Sequence, residues 1–206
     1  MSSTSDTELH AARGATPEPG RPCPVCREHA SRLILTVSQP RKDYWACRIC
    51  EARFLDPAHR VSLDIEHAHY RHHKNDPYDP KYRAFLSKLF EPLVARLAPG
   101  ACGLDFGCGP GPALAVMLQE VGFRVSMHDP LFSPNPAVFE QTFDFITSTE
   151  VVEHLHDPYE VFSTFDKILR PGGLVAIMTS FQTDDARFEA WYYRQDPTHI
   201  VFYRPF

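Results

Sequence analysis

Residues 81–97 carry the clearest periodic pattern in the chain. Tyr82, Phe85, Leu86, Leu89, Phe90, Leu93, Val94 and Leu97 recur at i, i+3, i+4 and i+7, which predicts a helix with one apolar stripe. Pro92 is expected to kink or split it, and Ala98-Pro99-Gly100 to end it. Downstream the period shortens. Apolar runs at 102–106, 124–128, 143–147 and 174–179 read as strands, the last of them buried. Between them, 112–121 reads as a helix with Pro112 in its first turn. A further helix follows the Asp157-Pro158 cap, carries Val161, Phe162, Phe165, Ile168 and Leu169 on one side, and stops at Pro171-Gly172-Gly173. This alternation predicts an α/β fold, a Rossmann-like parallel sheet with helices on its faces.

The sheet is expected to be abridged. Residues 130–142 contain three prolines and leave little room for a crossover helix plus another strand. Residues 180–206 would not hold a further helix and an antiparallel edge hairpin. Upstream, LILTV at 33–37 and YWACRIC ending at Cys50 read as two short strands between paired cysteines. Residues 1–20 are polar and aperiodic and read as a disordered tail. The expected organisation is therefore this tail, a cysteine-stapled module over 21–58, a His-rich connector and helix over 59–98, and the sheet domain over 99–206.

Composition narrows the class. With 43% hydrophobic and 23% charged residues, a packed globule is expected. A net charge of −5 argues against a protein that coats nucleic acid. No run of 18 apolar residues predicts a membrane span, and the polar N-terminus lacks a secretory apolar core, so a cytoplasmic location is expected. In that compartment paired cysteines more often signify metal than disulfide. Cys23-x2-Cys26 and Cys47-x2-Cys50, separated by 20 residues, match the spacing of a four-thiolate structural Zn2+ site. The module resembles a zinc ribbon. Cys102 and Cys108 read as a strand thiol and a loop filler. Arg21, Arg27, Arg32, Arg41, Lys42 and Arg48, near Tyr44 and Trp45, form either a solvated basic face or an RNA contact.

The segment GLDFGCGPGPAL, residues 103–114, carries the densest chemistry. Gly107, Gly109 and Gly111 alternate after a strand ending near Asp105, just before a helix start whose free N–H groups suit an anionic group. A dinucleotide fingerprint would place its third glycine at 112, where the chain has Pro112, which disfavours a nicotinamide oxidoreductase. No Lys-Ser or Lys-Thr follows, which excludes a P-loop. Asp129 closes the next strand, where a carboxylate can accept both hydroxyls of a ribose. Glu150 and His154 follow another strand and share one face if their segment is helical, flanking a reaction site or else capping the next helix. His199 is a further site candidate.

LDFGCGPG, HDP around Asp129, FDFITSTEVVEHLHDP and LRPGGLVAIMTS together resemble motifs of the class I S-adenosylmethionine-dependent methyltransferases, over roughly residues 82–206. The resemblance implies methyl transfer from S-adenosylmethionine. The backbone of Gly107, Gly109 and Gly111 would face the methionine portion, Asp105 would hold the loop and bind near the amino group, and Asp129 would take the ribose. It also implies that Tyr70, His73 and Asn75, upstream of the long helix, contact the cofactor as part of a lid; the bland reading is a solvated connector. Glu150, His154 and His199 are then the catalytic candidates. The acceptor stays open among small molecules, protein and RNA. The rival reading is a catalytically inactive cofactor fold whose ribbon binds protein or RNA.

Overall fold

A computed structural model describes residues 20–72, 75–182 and 184–205. The N-terminal tail up to residue 19 and His73 lie outside them. The chain opens with strands β1 (Ser31–Ser38), β2 (Arg41–Cys47) and β3 (Arg53–Leu55). Helix α1 (Leu63–Tyr70) and helix α2 (Pro80–Val94) follow. Then strand and helix alternate: β4 (Cys102–Phe106), α3 (Ala113–Glu120), β5 (Arg124–His128), β6 (Phe143–Thr149), α4 (Pro158–Ile168) and β7 (Leu169–Met178). A short helix α5 (Tyr192–Gln195) and strand β8 (Val201–Phe202) complete the order.

Two sheets result. Strands β5-β4-β6-β7 lie parallel in that spatial order, a Rossmann-like α/β arrangement. Phe145 and Ile146 are consecutive on β6 and point to opposite faces, as strand geometry dictates. Phe145 packs with Leu86, Leu89 and Leu93 of α2 and Leu114 and Leu118 of α3. Ile146 and Leu104 pack with Phe165 and Ile168 of α4 on the other face. Only a 3-10 turn, Pro136–Glu140, separates β5 from β6, so the sheet is abridged as the three prolines lead one to expect.

Four expectations are corrected. Helix α2 runs unbroken through Pro92 and ends at Val94, because the proline falls in the last turn, where little helix remains to be broken. Pro171-Gly172-Gly173 do not precede the last parallel strand: β7 begins at Leu169, and the register shift between its pairings with Phe143 and Phe145 absorbs them as a bulge. β7 is not buried either. It is the sheet edge, and Val175 and Ile177 remain 39% and 37% exposed because α4 covers the β4–β6 part of that face. Finally, the described residues beyond 181 do not join the parallel sheet. β8 pairs antiparallel with β3, so the cysteine-bearing sheet has the order β1-β2-β3-β8. Phe188, Tyr193, Ile200, Val201 and Phe202 pack with Tyr44, Trp45, Phe54 and Leu55 into one aromatic-rich core. That apolar burial is what draws the C-terminal segment away from the parallel sheet.

Candidate functional site

The turn from β4 into α3 is built by contacts from both sides. Gly107 N–H donates to the His128 carbonyl at 2.7 Å, tying the loop to the end of β5. Asp129 accepts from Gly109 N–H at 3.0 Å through Oδ2, and from Leu131 and Phe132 N–H at 2.9 and 3.0 Å through Oδ1. One carboxylate thus fixes the glycine loop and its own turn, and Oδ2 keeps acceptor capacity for a ligand. Gly109 has φ +64°, and a Cβ there would meet Asn75 Nδ2 at 3.8 Å, an ordinary contact and not a clash. Gly111 serves a different purpose. A Cβ there would lie 1.5 Å from the Asn75 carbonyl oxygen, so its bareness admits the chain segment leading into α2.

Gly107, Gly109, Asp129, Leu131 and Phe132 line a cavity of about 760 Å³, within the range of small-molecule sites. The same cavity is lined by Tyr70, Asn75, Gly107, Gly109, Asp129, Glu150, His154 and His199. The structure therefore brings together most of the residues singled out from the sequence. Two are set back. Gly111 is behind the loop, as described. Asp105 is buried beneath it, accepting from the Thr147 hydroxyl at 2.7 Å, and burial raises its pKa to about 6, with the Asp129 charge adding to the shift.

The reactive-looking side of the cavity comes from the chain after β6. Glu150 and His154 do not share an α-helical face: Glu150 adopts φ +52°, and a 3-10 turn covers Val152–His154. The turn nevertheless aims both at the cavity. Glu153, which sequence reasoning passed over, is fully buried behind them. Its oxygens face the Tyr193 hydroxyl at 2.5 Å and the Thr179 hydroxyl at 3.0 Å. Burial pushes its pKa up to about 7, and desolvation by the cavity walls also raises that of Glu150. Burial lowers the pKa of His154 to about 4, with His199 adding to the shift. Its Nδ1 lies 3.0 Å from the Thr198 carbonyl, and His199 Nδ1 lies 2.6 Å from the Tyr193 carbonyl. A carbonyl only accepts, so both Nδ1 atoms carry a proton, and in the neutral form of either ring Nε2 is the lone-pair nitrogen.

The C-terminal segment holds this wall in place. Ile200 N–H donates to the Glu153 carbonyl at 2.9 Å, and the Tyr203 hydroxyl to the Val152 carbonyl at 2.9 Å. On the opposite side α1 contributes Tyr70, whose hydroxyl donates to the buried Glu66 at 2.7 Å; Glu66 also meets His156 at 3.0 Å. Glu66 and His156 were not legible as site residues, since only the fold brings residues 90 positions apart together.

The four paired cysteines converge, their sulfurs all within 4.8 Å of one another. Cys23 and Cys50 sulfurs are 3.5 Å apart, Cys26 and Cys47 3.6 Å. Thiolates about one tetrahedral ion at about 2.3 Å sit roughly 3.8 Å apart, so the set is close to a closed four-sulfur site. The neighbouring cations are largely paired already: Arg21 with Asp56, Arg27 with Asp157, Arg41 with Asp43 and Arg32 with Asp185.

A parallel sheet with a glycine turn at the C-terminal end of one strand and an acid closing its neighbour defines a nucleotide-cofactor fold. The family described as "Methyltransferase domain" matches residues 68–206, and the chain belongs to it. Curated relatives include the ubiquinone biosynthesis O-methyltransferase of Proteus mirabilis, 28% identical over 99 residues that cover 48% of this chain and 39% of that protein. The protein of the same name from Caulobacter vibrioides is 31% identical over 136 residues, 52% of this chain and 54% of that one. The chain thus spans about two fifths to a half of the length of these relatives. Among solved structures, a methyltransferase of Thiobacillus denitrificans in complex with S-adenosyl-L-homocysteine aligns with a TM-score of 0.41 at 18% identity, over 64% of this chain and 62% of that one. Among the described residues no helix is long and apolar enough to cross a membrane.

Proposed function

We propose that the chain transfers the methyl group of S-adenosylmethionine to an acceptor held beside Glu150, His154 and His199. One observation carries the reading: the Gly109–Asp129 turn and these three side chains line a single cavity. When bound, the cofactor supplies an activated methyl group on a sulfonium, so the protein's task is chiefly alignment. Asp129 Oδ2 is the acceptor for a ribose hydroxyl, and the bare backbone at Gly109 admits close approach. Gly107 shapes the same turn from below. Buried Asp105 supplies negative potential beneath the loop toward a cationic amino group. Tyr70 and Asn75 close the cavity on the side of α1; His73 was expected to join them. Glu150, in contact with the Tyr193 hydroxyl at 3.2 Å, is the group available to take a proton from a hydroxyl or ammonium acceptor. The acceptor itself is left open among small molecules, protein and RNA.

We also propose that Cys23, Cys26, Cys47 and Cys50 hold a structural zinc ion, supported by the convergence of four thiols, none of them in a disulfide. Such reduced pairs fit a cytoplasmic setting.

Isothermal calorimetry with S-adenosylmethionine and its demethylated product tests the methyl-transfer reading. Binding in the micromolar range is expected, weakened at least tenfold, about 1.4 kcal/mol, in Asp129→Ala. Absence of heat with both ligands overturns it.

A further inference from the structure

Glu153, His154 and His199 each offer a ligand atom, and these atoms lie within 4.8 Å of one another. We propose that they form a binding site for a first-row divalent cation at the cavity wall, with remaining coordination positions taken by water or by oxygen atoms of the methyl acceptor. The acceptor part rests on the methyl-transfer reading above; the cation site does not.

Three features argue for a cation here over a packed polar cluster. The first is charge. Glu153 has no exposed surface, and among the described residues the one basic group within 4 Å of its carboxylate is His154, at 3.9 Å. Tyr193 and Thr179 give it hydrogen bonds without charge, so a buried carboxylate stands without a lysine or arginine partner, an expensive arrangement unless something neutralises it. The second is tautomer. Each imidazole has its Nδ1 set against a backbone carbonyl, the arrangement that orients metal-ligating histidines and leaves Nε2 as donor to a metal. The rings lie with centroids 4.6 Å apart, a close approach that two imidazolium ions would resist and two neutral ligands would not. The third is placement. The ligands come from two segments, the turn after β6 and the loop after α5, which Ile200 N–H clamps together at the Glu153 carbonyl.

Two imidazole nitrogens with one carboxylate favour manganese, iron, cobalt, nickel or zinc over magnesium or calcium, which prefer all-oxygen sets. Atoms ligating one such ion at about 2.1 Å stand roughly 3–3.5 Å apart, so side-chain shifts of about an ångström close the site. His154 and His199 also line the cavity, which opens the bound ion to an oxygen-bearing acceptor and would orient that oxygen for attack on the methyl group.

The test is an electron paramagnetic resonance titration of Mn2+ into the full chain with zinc already loaded, since manganese competes poorly for thiolates. One Mn2+ per chain is expected, with spin-echo modulation from imidazole nitrogen in the wild type. His154→Ala and His199→Ala should each weaken binding at least tenfold with zinc content unchanged. Absence of nitrogen coupling, or both variants binding like wild type, overturns the site, and the wild-type coupling decides the matter even if a variant folds poorly. Calorimetry with S-adenosylmethionine on the same samples separates the two readings. Nitrogen-coupled Mn2+ with no cofactor heat removes the methyl-transfer reading and leaves the cation site; the reverse pattern removes the cation site alone.

Discussion

Asp105 shows how far a single carboxylate can depart from its sequence role. Its position before the glycines marks it as a ligand-loop acid, yet it sits under the loop on Thr147, and burial raises its pKa from 3.8 to about 6. A raised carboxyl pKa means that the folded state resists ionisation. The penalty is absent below about pH 4, where both states are protonated, grows between pH 4 and 6, and is complete above pH 6, at about 3 kcal/mol. Asp105→Asn is therefore expected to match the wild type in urea unfolding at pH 4 and to exceed it at pH 7.5; parallel pH profiles would count against a protonation penalty at this site. Gly109 makes a contrasting case. Its φ of +64° costs a side chain about 1–2 kcal/mol even though a Cβ would meet nothing closer than Asn75 Nδ2 at 3.8 Å, and more if β-branched. Gly109→Val should lower S-adenosylmethionine affinity at least tenfold and Gly109→Ala only a few-fold, read by the same calorimetry. Asp129 was legible because its place after a strand carries the signal. Glu153 was not: in EVVEH nothing local separates the carboxylate that turns inward from the one that faces the cavity.

At the scale of elements, β4 and β5 match the spans expected from sequence because both are short apolar runs bounded by strong breakers. β8 was illegible for the opposite reason. Two residues have no period, and its pairing with β3 joins positions about 150 residues apart. The segment before α2 was legible only as a polar connector, yet Asn75 lies against the glycine loop, and the requirement for Gly111 arises from it. Gly111→Ala should push that segment off the loop, since the added carbon would fall 1.5 Å from the Asn75 carbonyl oxygen. Amide exchange around 75–79 should quicken at least tenfold while the α2–α3 core, built on Leu86, Leu89 and Leu118, keeps its protection. Equal acceleration in both regions would mean that the substitution unfolds the domain and does not release a lid.

Across the whole molecule, the cysteine-bearing sheet and the cavity are joined by the C-terminal segment. Residues 188–202 supply half of the aromatic core on the cysteine-bearing sheet, and the same stretch delivers Asp196 and His199 to the cavity wall. Further ties run from Arg27 to Asp157 at the start of α4 and from Arg53, itself buried, to Asp185. The cysteines are thus coupled to the wall that carries His154 and His199, whereas the glycine loop and Asp129 hang on β4 and β5. Cys50→Ser should separate the two. Trp45 and Trp191, the two tryptophans of the chain, both pack in the core of the cysteine-bearing sheet, so tryptophan emission reports its loosening. The expected result is red-shifted emission and loss of nitrogen-coupled Mn2+ binding, with S-adenosylmethionine affinity changed by no more than a few-fold. If emission shifts and Mn2+ binding survives, the cysteine-bearing sheet is an appendage whose core can loosen without moving His199. If cofactor affinity collapses as well, the parallel sheet depends on the cysteine-bearing sheet for its own folding, and the division of labour between the two sheets fails.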